Sequence, residues 1–122
     1  VENINSSWDI FEGTFEPQDR SDDKGAEPEG VTQGMVDDSR VAVIGMERMS
    51  ALLFMDITDP ANPSVIEWKQ FLPAEDVVVA DQNKWSPEGL VWIDAADSPN
   101  GKPLLITSYE VSGTLSIHSI EK

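Results

Sequence analysis

Cysteine is absent from the 122-residue chain, so neither a disulfide nor a thiolate nucleophile is available to it. Histidine occurs once, at His118, in the alternating run LSIHSI, where a packed or solvated side chain is the expected reading. No apolar run approaches the ~20 residues that a membrane-crossing helix needs. Positive charge is scarce: 8 Lys and Arg face 23 Asp and Glu, a net charge of -15 at pH 7. That surplus opposes binding to nucleic acid or an anionic membrane and favours cations as partners. It also suits an ionic medium outside the cytoplasm, whether extracellular, periplasmic or at the cell surface. Glycine-rich phosphate loops, dinucleotide fingerprints and the G-x-S-x-G elbow are missing. The opening VENINSSWDI has neither an initiator methionine nor a basic and apolar leader, the pattern expected of a mature or trimmed chain.

What the chain has instead is a module present twice, Pro28 to Ile57 and Pro87 to Ile120, each opening with Pro-Glu-Gly. Setting Val41 against Leu104 pairs Val43 with Ile106, Glu47 with Glu110, Ser50 with Gly113, Leu52 with Leu115 and Phe54 with Ile117. The second copy is longer by four residues around Ser98 to Gly101. Strand-like alternation runs through Gly30 to Val36, Val41 to Glu47, Ala51 to Thr58 and Ser64 to Phe71, joined by short polar turns. The second copy offers Gly89 to Ala95, Pro103 to Glu110 and Thr114 to Ile120, one strand fewer. Val41 and Val43 alternate with Ala42 and Ile44, so both sheet faces are apolar and both need cover.

A repeated antiparallel unit that cannot bury its faces alone points to an all-β protein built from four-stranded propeller blades. About two blades of a larger β-propeller are present, because a closed ring takes at least ~4. The expected division is an N-terminal strand and acidic loop over 1–26, a first blade over 27–72 and a second over 73–122. The outer strand of the second blade is expected from elsewhere. Trp8 to Phe15 reads as one loosely alternating strand that could fill that place or equally be the outer strand of a preceding blade. Val77 to Ala80 reads as an extra short strand. In DITDPANP, Asp59 and Asn62 are expected to cap the turn with their side chains. Trp68 and Trp92 read as packing between blades, and Trp85 as an exposed ring that could touch a ligand.

In a blade the first strand lines the central channel, so Glu29 and Glu88 are expected to face a common axis. Glu47 and Glu110 would return toward the same rim. Carboxylates gathered there repel unless a hard cation compensates, and oxygen ligands without His or Cys point to Ca²⁺ or Mg²⁺ rather than zinc. Asp22 and Asp23, in DRSDDKG, add oxygens at short spacing but not the EF-hand pattern. Arg20 and Arg48 could meet a phosphate or carboxylate at such a rim.

RSDDKGAEPEGV, IGMER, FMDITDPANP, SPEGLVWI and DSPNGKPLLITSYEVSGTLSIHSI together resemble the C-terminal portion of the choice-of-anchor I family, secreted or surface-attached bacterial β-propeller proteins of which some are described as alkaline-phosphatase-like. The resemblance spans nearly all of residues 16 to 121. It implies a seven-bladed or similar propeller, with export and anchoring by a separate element; the ring is expected to be completed by the remaining blades or by a homo-oligomer. Two functions follow as expectations. One is an extracellular structural or interaction module stabilised by divalent cations. The other is part of a calcium-dependent phosphoester hydrolase, with the four glutamates as ligands and Arg20 or Arg48 clamping phosphate.

Overall fold

The structure, a computed structural model, describes residues 9–11, 14–16, 25–70 and 86–121. Nine antiparallel strands make up its regular elements: β1 (Asp9–Phe11), β2 (Thr14–Glu16), β3 (Pro28–Val36), β4 (Ser39–Met46), β5 (Ala51–Asp56), β6 (Ser64–Gln70), β7 (Pro87–Ile93), β8 (Leu104–Tyr109) and β9 (Thr114–Ser119). They form a two-stranded sheet, a four-stranded sheet in the order β3-β4-β5-β6 and a three-stranded sheet in the order β7-β8-β9. Among the described residues no helix is long and apolar enough to cross a membrane.

The repeat is real in register as well as in sequence. Met46 pairs with Ala51 and Val41 with Asp56 in the first sheet, and their counterparts Tyr109 with Thr114 and Leu104 with Ser119 in the second. Both first strands shift register just after the proline, between Pro28 and Val31 and between Pro87 and Gly89. Both second hairpins turn through a left-handed residue at the same place, Ser50 at φ 45° and Gly113 at φ 62°. The closing bonds also repeat, from Ile57 N–H to the Arg40 carbonyl and from Ile120 N–H to the Pro103 carbonyl, each 2.9 Å. Two stretches with different side chains thus fold to one backbone.

The two larger sheets stack with β3 against β7. Val36, Val41, Val43 and Leu52 of the first sheet and Leu105 of the second are buried together, with Phe54, Leu90, Trp92 and Ile120 against them. Burying aliphatic side chains of this size contributes about 1.5–3 kcal/mol each. Close approach depends on missing side chains. A Cβ at Gly34 would lie 1.7 Å from the Trp92 indole nitrogen, and a Cβ at Gly30 would lie 2.8 Å from the Glu88 carbonyl oxygen. Trp92 therefore lies directly on the β3 backbone, its indole N–H donating to Asp94 Oδ1 at 3.0 Å. The opposite face of the first sheet gathers Ala26, Met46, Met49, Ala51 and Leu53, with Ile44, Met55 and Trp68 packed on them.

One expectation needs correction. Trp8 to Phe15 is not one strand: β1 and β2 pair with each other, Asp9 with Glu16 and Phe11 with Thr14, so neither serves as the outer strand of the second sheet. Trp68, read as packing between blades, lies on the face of the first sheet away from β7, packed against the Met46, Met49 and Leu53 cluster. Its partner across the ladder is Leu53, whose side of the sheet is the one away from β7. The DITDPANP turn forms as expected: Asp59 accepts from Ala61 N–H at 3.0 Å and from the Asn62 amide at 2.7 Å. These two bonds hold the Asp59 carboxyl below its ordinary range, the Asn62 bond most strongly. Val77 to Ala80 lies outside the described residues.

The Gly34 contact gives a direct test. Gly34→Ala is expected to cost about 2 kcal/mol through overpacking, whereas Gly45→Ala, whose new methyl meets Pro87 at an ordinary 3.4 Å, should be near neutral. Urea denaturation of both variants measures the contrast.

Candidate acidic site at the sheet junction

The turn after β4 and the entry to β3 bring three carboxylates together. Oxygens of Glu27, Glu29 and Glu47 lie within 4.8 Å of one another. Two backbone features set this up. Glu47 N–H donates to the Glu27 carbonyl at 2.9 Å, which ties the turn to the strand entry. Glu27 takes φ 45°, a left-handed conformation unusual for a residue that precedes a proline. Such a conformation costs on the order of 1–3 kcal/mol. It is offset by that hydrogen bond and by the Arg48 guanidinium, whose Nε donates to Glu27 Oε2 at 2.6 Å.

The second sheet adds a fourth negative charge. Partial burial raises the Glu47 carboxyl above its ordinary value; Arg48 opposes this, and the charges of Glu27, Glu29 and Glu88 push it higher still. Glu88 is held nearby because its backbone packs on Gly30. The two Pro-Glu-Gly openings therefore meet at one corner.

The residues singled out in the sequence divide as follows. Glu29 and Glu47 enter the three-oxygen cluster, and Glu88 stands within reach of its field. Glu110, exposed in the turn after β8, is not a member of that cluster. Arg48 is engaged with Glu27. Arg20, Asp22, Asp23 and Trp85 lie outside the described residues. Glu27 was missed: the second copy has Ser86 at the matching place, so the repeat gave no reason to choose it. Its signal is the acidic run Glu27-Pro28-Glu29 itself.

Three carboxylates at this spacing can act as a hard-cation cradle. Ligands on opposite sides of a Ca²⁺ with bonds of about 2.3–2.6 Å stand about 5 Å apart, and the observed separations fall inside that limit.

Comparison with known proteins adds one finding. Residues 4–60 match the Choice-of-anchor I domain. The match takes in β1 to β5 and ends at Pro60, within the DITDPANP turn. It is shorter than the 16 to 121 over which the sequence resembles that family, and it leaves the second copy unmatched. Curated proteins and solved structures give no match.

The raised Glu47 carboxyl has a defined sign in stability. Its folded pKa lies above its ordinary value of 4.5, so ionisation at neutral pH works against the fold. As pH falls through the raised value toward 4.5, this group gives stability back. Glu47→Gln is expected to stabilise the protein at neutral pH, by up to about 1 kcal/mol at a partly solvated site, and to flatten that part of the profile. Thermal unfolding from pH 7 to pH 4.5 checks both.

Proposed function

We propose that the chain is a structural or interaction module of a larger radial β assembly, its two larger sheets acting as adjacent propeller blades. One observation carries the reading: the exposed face of the second sheet is the register-for-register counterpart of the face that the first sheet buries. Leu52 is 1% exposed and its counterpart Leu115 is 70% exposed; Ile117, the counterpart of Phe54, is 63% exposed. Val91 on β7 belongs to the same uncovered face. On the far side of the stack, Val31 and Met35 are exposed on the first sheet. A stack in which each sheet offers one face forward and a different one back is a head-to-tail arrangement, which makes a ring where its rotation closes and an open stack where it does not. The 27–72 and 73–122 units would then be the first and second blades.

The next neighbour cannot copy the internal contact in full. Gly34, which receives the indole, is matched by Ile93, so a sheet covering the second face must bring a smaller side chain there. Export and attachment outside the cytoplasm agree with the acidic composition and with the family match over 4–60.

Cation binding at the corner is a second component of this reading, favoured by the three-oxygen cluster and by the burial and, after it, the carboxylate repulsion that raise Glu47. A divalent ion would join the β3 entry to the β4–β5 turn and relieve the charge of Glu88 across the sheets. Phosphoester hydrolysis draws less support, since Arg48 is spent on Glu27.

Two measurements test the proposal. Sedimentation of the chain should show concentration-dependent association through the uncovered faces, and Leu115→Lys with Ile117→Lys should abolish it; a chain equally monomeric with and without those changes contradicts the blade reading. Millimolar Ca²⁺ should raise the melting temperature at pH 7 and much less at pH 5, with Glu47→Gln weakening binding at least ~10-fold. No calcium effect at pH 7 would remove the cation from the account.

A further inference from the structure

The second copy differs from the first most in the loop that joins its first two strands. Asp37-Asp38 alone joins β3 to β4, whereas Asp94 to Pro103 lie between β7 and β8. One side chain ties this longer loop down. Asn100 Oδ1 accepts from Ser98 Oγ at 2.7 Å and from Lys102 N–H at 3.0 Å. Its Nδ2 donates to Ser119 Oγ, at the end of β9, at 2.9 Å. A backbone N–H can only donate, so the Lys102 contact fixes which end of the carboxamide is oxygen and which is nitrogen. Asn100 thus clips the loop both to itself and to the neighbouring strand. In the first copy Asp56, the counterpart of Ser119, serves its own turn instead, accepting from Thr58 N–H at 2.8 Å.

The residue after Asn100 makes the same side chain chemically labile. Asparagine is thermolabile because the main-chain nitrogen that follows it can attack the carboxamide carbon. The attack is least hindered where the following residue has no Cβ. The five asparagines of the chain are followed by Ile4, Ser6, Pro63, Lys84 and Gly101. Gly101 alone offers an unhindered nitrogen, and Pro63 offers one without a proton. Asn100 and Gly101 are both exposed, so water reaches the pair.

The fold acts on this pair in two opposite ways. Donors on Oδ1 draw electron density from Cγ and favour attack. Gly101 N–H, however, donates to the Ser98 carbonyl at 3.2 Å, and the nitrogen that must leave is held by Ser119. An activated carbonyl does not react while its nucleophile is occupied, so the second effect prevails until the loop lifts. Its remaining tether, the ion pair of Lys102 with Glu121, is exposed on both sides and weak.

We propose that Asn100 is a latent modification site: when the loop lifts from β9, Gly101 N attacks Asn100 Cγ, and the clip is converted to isoaspartate. Solvent base takes the Gly101 proton, the N–Cγ bond forms, the Cγ–Nδ2 bond breaks and ammonia leaves. Water then opens the cyclic imide at either carbonyl carbon, giving aspartate or isoaspartate at position 100. In the isoaspartate the main chain runs through Cγ, and the amide that reached Ser119 is gone. The new carboxylate stands in a loop that already carries Asp94 and Asp97. The loop is then free of β9 for good. Only the chain's own backbone and water take part, so the inference goes beyond the blade reading and does not rest on it.

The test follows the full chain in mildly alkaline buffer, with isoaspartate at position 100 read by peptide mapping and mass spectrometry. The chain unfolded in urea gives the unprotected rate. In the folded chain the rate should be at least ~10-fold lower, as a local opening equilibrium requires. Ser119→Ala, an exposed change that removes the anchor, should raise the folded rate at least ~3-fold while far-ultraviolet circular dichroism stays unchanged. Ser119→Thr keeps the hydroxyl and should keep the protection. Hydrogen exchange in the aged chain should quicken at Lys102 and stay unchanged in β8. Equal rates in the folded and unfolded chains, or a folded rate that Ser119→Ala leaves unaltered, overturns the proposal. So does a Ser119→Thr chain as labile as Ser119→Ala, or an unfolded chain in which Asn100 stays intact.

Discussion

An indole resting on a strand that has no side chain beneath it is the contact around which the molecule is arranged. Trp92 reaches the β3 backbone because position 34 is glycine, and the close approach it permits lets the aliphatic side chains of both sheets interlock. The same approach, continued along β3, brings the Glu88 carbonyl to Gly30 and so carries the two Pro-Glu-Gly openings to one corner. Packing between sheets and the gathering of charge are two ends of a single constraint.

That corner is held by opposing effects of modest size. The left-handed Glu27 and the partly buried Glu47 are unfavourable taken singly. The Glu47 N–H bond to the Glu27 carbonyl and the Arg48 ion pair compensate. An ion pair with this degree of solvent access contributes about 1 kcal/mol at most, so it cannot silence four carboxylates. The residual repulsion adds to burial in raising the Glu47 carboxyl.

Most of the strand order was legible because the repeat could be checked against itself. Glu47 and Glu110 marked the same turn, and the structure adds that Ser50 and Gly113, paired in sequence, are both left-handed. Trp8 to Phe15 misled because a loose alternation over eight residues hid a hairpin whose two arms are three residues each. The period of a strand does not say which of two apolar faces receives the neighbouring sheet, and the structure puts Trp68 on the face away from β7. At the site, Glu29, Glu47 and Glu88 could be found from the duplicated motif, while Glu27 could not. Its place depends on a backbone kink specific to the first copy, where the second has Ser86.

The central claim, that the repeated sheets stack through the indole on Gly34, is open to solution NMR without any substitution. The account predicts strong nuclear Overhauser contacts between the Trp92 ring protons and both Gly34 Hα protons, with those Hα resonances moved well upfield by the ring current. Gly34 Hα shifts typical of an ordinary strand glycine, with no contact to the indole, would contradict it.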